Sequence, residues 1–178
     1  MSTTIYLQSS PHIRGKEDVR AVMLQVVLAL VPGMIAAVVF FGARAALVLG
    51  VAAASVLAFE ALFLRMAHKP VKDFALDGSG LITALLLAMN LPSGIPIYMI
   101  VVGAFIAALL GKHAFGGLGN NPFNPALVGR VFLLISFPTA MTTWPVTTMA
   151  GVDATTAATP LGIFKTEGMG ALGAWVAD

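Results

Sequence analysis

Cysteine is absent from the 178 residues, charge is scarce, and histidine occurs only three times. Without a thiol there is no disulfide, no thiolate-held zinc and no ordinary cysteine-ligated iron–sulfur cluster, so any redox chemistry needs another carrier. His12, His68 and His113 all fall in polar connecting segments, a placement that argues against a haem pair. Charged residues make up 10% of the chain, against about 25% in an ordinary soluble domain. The hydrophobic share is 58% and the mean hydropathy +0.93, which excludes a water-soluble globule. The net charge of +2 comes from basic residues set between apolar runs. That is a pattern of membrane orientation and not a nucleic-acid patch, and no nucleic-acid partner is expected.

What is present is a series of long apolar runs, which predicts an all-α integral membrane protein surrounded by the lipid bilayer. Residues 1–20 carry Arg14, Lys16, Glu17, Asp18 and Arg20, too much charge for the core of a signal peptide. They read as a cytoplasmic N-terminal segment, followed by a transmembrane domain over residues 21–141. The run from Ala21 to Phe41, broken only by Gln25, is long enough for one crossing. A kink is expected at Pro32-Gly33, because proline removes a helical hydrogen bond. Ala45 to Leu64 forms a second crossing, with Gly50 and Ser55 as small residues that allow close helix approach.

The third run, Leu81 to Leu91, is too short to cross alone. It is opened by Asp77-Gly78-Ser79-Gly80 and closed by Pro92-Ser93-Gly94, which predicts a broken or half helix lining a polar cavity or buried in protein. Ile97 to Leu110 makes a fourth crossing. After the glycine-rich stretch from Phe115 to Gly119, Asn124 is placed as an N-cap and Pro125 at the first helical position. A fifth crossing follows, Ala126 to about Met141. The sum is about five transmembrane helices, including the short one.

Basic residues distribute unevenly along this path. Arg14, Lys16, Arg20, Arg65, Lys69, Lys72 and Lys112 fall on one side, and Arg44 and Lys165 on the other, so the first side is cytoplasmic. The polar, threonine-rich segment 142–178 then emerges on the outer face. It has no span of its own, and a broken helix in one half of a bundle often has a counterpart in an inverted second half. No counterpart is visible, so the chain is expected to be truncated, one half of an inverted-repeat bundle.

Several residues invite a chemical reading. Asp77 and Ser79 open the short helix, where free N–H groups suit either simple capping, a phosphate or other anion, or an ion path. Glu60 and Arg130 are charges inside apolar runs near the cytoplasmic helix ends. They are read either as a structural pair or snorkelling side chains, or as a route for ions. Gly116, Gly117 and Gly119 follow no strand and do not make a dinucleotide-binding fingerprint. In the tail, Asp153-Ala154-Thr155-Thr156-Ala157-Ala158-Thr159-Pro160 is dense in hydroxyls, and Thr159 is an accessible alcohol held extended by Pro160.

The Asp153 to Thr159 stretch resembles the flavinylation motif Asp-x-x-(Ser/Thr)-Gly-Ala-(Thr/Ser), with Asp153, Thr156 and Ala158 as matching positions and Ala157 where glycine is common. Ser10-Pro11-His12-Ile13-Arg14, Asp77 to Thr83, Asn121 to Ala126, and Leu134 to Pro138 with Met141 to Trp144 complete the likeness. In order and content they resemble the D subunit of the Rnf complex, whose relative is the B subunit of the sodium-pumping NADH:quinone reductase. The resemblance implies FMN joined by a phosphoester to Thr159, added by a flavin transferase. It further implies a flavoprotein subunit of an ion-translocating ferredoxin:NAD oxidoreductase in the bacterial cytoplasmic membrane. There it would assemble with other subunits and couple electron transfer to Na+ or H+, with no catalysis by this chain alone. The alternative is a solute channel or transporter of urea-transporter-like fold with no redox role.

Overall fold

A computed structural model of the chain describes residues 19–68, 77–117 and 119–145. All regular structure among the described residues is helical. Helix α1 spans Val19–Met66, α2 spans Ser79–Met89, and α3 spans Ile97–Leu109 with a 3-10 turn at His113–Phe115 behind it. Helices α4, Pro125–Ser136, and α5, Pro138–Thr142, complete the order. Two stretches, Val19–Met66 and Ile97–Phe115, are long and apolar enough to cross a membrane. The fold is that of an all-α integral membrane protein.

Helix α1 is two apolar arms joined at one residue. Gly42 has φ 68° and ψ −157°, a conformation outside the helix that glycine adopts without a side-chain clash. Pro32 stays inside the first arm, and no residue near it leaves helical dihedrals. The break thus falls at the boundary expected between the Ala21–Phe41 and Ala45–Leu64 runs, and non-helical dihedrals are absent at the expected Pro32-Gly33 kink. Proline costs one hydrogen bond but keeps helical φ, whereas Gly42 changes the chain direction.

The second arm buries Ala45, Val48, Ala52, Val56, Glu60 and Leu64, spaced by three or four residues as one face of a helix requires. Helix α2 lies in the angle between the arms. Its start meets the first arm at Met23 beside Gly78, and its end meets it at Gly33 beside Met89. Being flanked on both sides, α2 buries seven of its eleven residues, from Ser79 to Ala88. The core joins Val48, Ala52 and Val56 to Leu87 of α2, Ile100 and Ala104 of α3, and Leu133 of α4.

Helices α3 and α4 approach through missing side chains. A Cβ on Gly129 would lie 2.6 Å from the carbonyl oxygen of Gly103, and a Cβ on Gly111 would lie 2.6 Å from Pro125 Cα. Small residues admit such contact where lipid supplies no hydrophobic drive for association. The expected close approach at Gly50 does not occur, because nothing lies within 4 Å of the position its Cβ would take. Asn124 caps α4 as its sequence predicts, its side chain accepting from Ala126 N at 3.0 Å with Pro125 in the first turn. The fifth apolar run is interrupted at Phe137, so α4 and the short α5 replace one continuous helix.

Candidate functional site: a buried charge network beside a polar cleft

Polar chemistry collects where the start of α2, the end of the second arm and the turn after α3 meet. Ser79 opens α2 next to Gly78, whose φ of 88° turns the chain into the helix. Asp77 Oδ1 accepts from Ser79 N at 2.8 Å and from Ser79 Oγ at 2.6 Å. Thr83, one turn on, donates from Oγ1 to the carbonyl of Ser79 at 3.0 Å. Lys112 leaves the end of α3 and turns inward, where its ammonium donates to Ser79 Oγ at 2.6 Å and to Glu60 Oε1. The result is one continuous chain of polar contacts, Asp77, Ser79, Lys112, Glu60.

The two charges are deeply placed: Glu60 is 2% exposed and Lys112 5%. Taking an isolated charge out of water is costly, so each is tolerated only because the other is there. Glu60 is nevertheless not fully satisfied, since its Oε2 has no hydrogen-bond partner among the described residues. That oxygen rests against Gly80, where a Cβ would come within 1.7 Å of it. Phe59 and Phe63, on either side of Glu60 in sequence, pack with Phe105 of α3 at centroid distances of 5.3 and 5.8 Å.

A cleft of about 260 Å³ opens beside this network. Ser79, Thr83, Lys112, Asn121 and Asn124 supply its polar lining, and Met23, Ile82 and Leu86 its apolar wall. An apolar slot with a few converging polar groups suits a flat ring with a polar edge. Among the described residues no group of three or more His, Cys, Asp or Glu comes together as metal ligands.

Of the residues singled out from sequence, Asp77 and Ser79 are brought into this network. Glu60 joins it too, but its partner is Lys112 and not Arg130. The guanidinium of Arg130 donates instead to Asn90 Oδ1, and Asn90 closes the opposite end of α2. Lys112, which the sequence pattern sets among the cytoplasmic-side charges, is buried. The residues of the expected flavinylation motif, Asp153, Thr156, Ala158 and Thr159, lie outside the described residues.

Comparison with known proteins gives these positions a context. A model of the NQR2, RnfD, RnfE family matches residues 6–177. The chain belongs to this family. The D subunit of the proton-translocating ferredoxin:NAD(+) oxidoreductase complex of Clostridium ljungdahlii is 46% identical over 164 residues, covering 91% of this chain and 48% of that protein. The D subunit of the ion-translocating oxidoreductase complex of Ectopseudomonas mendocina is 46% identical over 137 residues, 77% of this chain and 40% of its own length. Its counterpart of the same description in Shewanella amazonensis is 37% identical over 186 residues, 90% of this chain and 53% of its own. The chain therefore spans about half the length of these NQR2, RnfD, RnfE family relatives. The stretch matched by the family model contains every residue of the Glu60–Lys112 network.

Proposed function

We propose that this chain serves as a membrane subunit of an ion-translocating electron-transfer complex of the Rnf type, working between ferredoxin and NAD, and that it carries FMN as a phosphoester on Thr159. The observation that carries the reading is the family match across residues 6–177, which includes the Asp153 to Thr159 motif. The names of the relatives support its coarser part, a subunit of an ion-translocating oxidoreductase complex. Bound flavin supplies one-electron transfer, a chemistry the cysteine-free chain otherwise lacks. Thr159 is the attachment point, with Asp153, Thr156 and Ala158 presenting it to a flavin transferase. Other subunits of the complex hold the ferredoxin and NAD sites.

In this reading the cleft at Ser79 and Lys112 receives a second, non-covalent flavin. Met23, Ile82 and Leu86 would flank its ring, while Lys112 and the asparagines would address its polar edge. The site lies in the bacterial cytoplasmic membrane, with the N-terminus cytoplasmic and segment 142–178 outside, as the distribution of basic residues favours.

Fluorescence of the chain in a denaturing gel tests the covalent flavin. Co-expressed with the transferase, the wild-type chain should give a fluorescent band, Thr159→Ser should retain some of it, and Thr159→Ala should give none. Thr155→Ala should leave it. A band that persists in Thr159→Ala refutes the attachment site. A colourless wild-type chain that moves a solute returns the fold to the transporter reading.

A further inference from the structure

The Glu60–Lys112 contact has more polar connection than a structural pair needs. A pair that only offset its own burial would satisfy both carboxylate oxygens and end there. Here Oε2 is buried without a partner among the described residues, and the ammonium is tied through Ser79 Oγ to Asp77, which is only half-buried. Each link is within hydrogen-bond reach, and each atom in it holds or accepts a transferable proton.

We propose that Asp77, Ser79, Lys112 and Glu60 form a proton relay leading from the half-buried opening of α2 to the buried carboxyl of Glu60. In the first step the Nζ–H bond of Lys112 breaks and an O–H bond forms on Glu60 Oε1. This leaves a neutral amine and a neutral acid, and so removes both charges from the apolar interior. In the second step Asp77 takes a proton from solvent and the Ser79 hydroxyl, which donates to Asp77 at rest, turns toward the neutral amine; Ser79 then gives its own proton to the amine as its Oγ takes the one on Asp77. Asp77 and Lys112 are then as they began, and the net change is one proton from water to Glu60.

The ligand is a proton and not a metal cation. Hard metal cations take about six or more oxygen ligands. Oε1 is already filled by an ammonium and Oε2 rests against Gly80, so the pair offers far fewer oxygens than such a cation takes. Asp77 is the only other carboxylate among the described residues, and its Oδ1 is taken by the N–H and the hydroxyl of Ser79. The charged groups around it are Asp77 before α2, Lys112 and His113 after α3, and Arg65 and His68, both exposed, at the end of α1. Arg130 of α4 is held at Asn90.

The relay is a deepening of the ion-translocating reading, and it is tested apart from the flavin. The first measurement is infrared difference spectroscopy of the full chain after a rapid drop in pH. A protonated carboxyl band should appear, be missing in Glu60→Gln, and form at least tenfold more slowly in Ser79→Ala, with the rate restored in Ser79→Thr because the hydroxyl returns. No Glu60-dependent band, or the same rate in Ser79→Ala, overturns the relay.

The second measurement uses Lys112→Arg in the assembled complex in proteoliposomes. A guanidinium keeps the charge and holds its protons, so it can pair with Glu60 but cannot pass a proton on. The fluorescent flavin band at Thr159 should persist, while protons moved per electron still transferred fall at least tenfold. Wild-type proton movement in Lys112→Arg would reduce the pair to an electrostatic strut and contradict the relay. Loss of the flavin band from the wild type would count against the redox reading alone.

Discussion

Glu60 occupies a position that the helix periodicity reserves for an apolar side chain, on the same stripe as Val56 and Leu64. It is held there by Lys112 on one oxygen and by the absence of a side chain at Gly80 on the other. Gly80→Ala is therefore predicted to push the carboxylate off its seat and cost ~1–3 kcal/mol, the usual range for overpacking. The fall in thermal midpoint of the detergent-solubilised chain measures it. Lys112→Met alone leaves a buried carboxylate unpaired, for which the loss is roughly 3–5 kcal/mol. Adding Glu60→Gln removes that charge, so the double variant is expected to be more stable than Lys112→Met alone, in a cycle read by the same midpoint.

This pairing is only partly legible in the sequence. That Glu60 lies inside an apolar run is plain from its neighbours, and burial of an ionisable residue calls for a partner. Its partner is 52 positions away in sequence, and no spacing rule connects residues on separate helices. Arg130 is the other charge within an apolar run, hence the expectation that it would serve. Lys112 follows the apolar residues of α3 directly after Gly111, where α4 approaches closely, and that junction carries the ammonium inward.

At the scale of elements, local chemistry is the most readable part. Asn124 and Pro125 announce the start of α4, and Gly78 with Pro92 bound the short α2. The cap has a measurable consequence: Asn124→Ala should cost about 1 kcal/mol and Asn124→Ser little, because serine also accepts from the first turn. Gly42 is less readable, since a glycine between two apolar runs has no unique meaning until its dihedrals are known. Its φ of 68° makes Gly42→Ala a test of the joint between the arms. We expect a loss on the order of 1–3 kcal/mol, whereas Gly50→Ala, with open space at its Cβ, should be near neutral. The opposite ranking of the two midpoints would contradict the break at Gly42.

On the scale of the molecule, large apolar side chains crowd the surface of the described residues as well as the interior. Leu28 of the first arm is 68% exposed and Ile135 of α4 is 76% exposed. Faces of this kind suit lipid or further protein and not water. The arm from Val19 to Phe41 has no fully buried residue, although it holds α2 in place. Composition alone makes the membrane class legible. The number of crossings is less so, because α2, α3 and α4 have 11, 13 and 12 residues, and helices of that length cover only about 20 Å or less. Orientation has its own test. A cysteine in place of Thr147 should react with an impermeant thiol reagent in whole cells, and labelling only after lysis would invert the topology.

The central claim, that this chain is a covalent flavin carrier of an Rnf-type complex, is tested most directly by intact mass. The chain purified from cells that supply the flavin transferase should be heavier than its sequence by one FMN less one water, with the addition mapped to the peptide containing Thr159 and missing in Thr159→Ala. A wild-type chain at its unmodified mass, or an FMN that stays in Thr159→Ala, would contradict it.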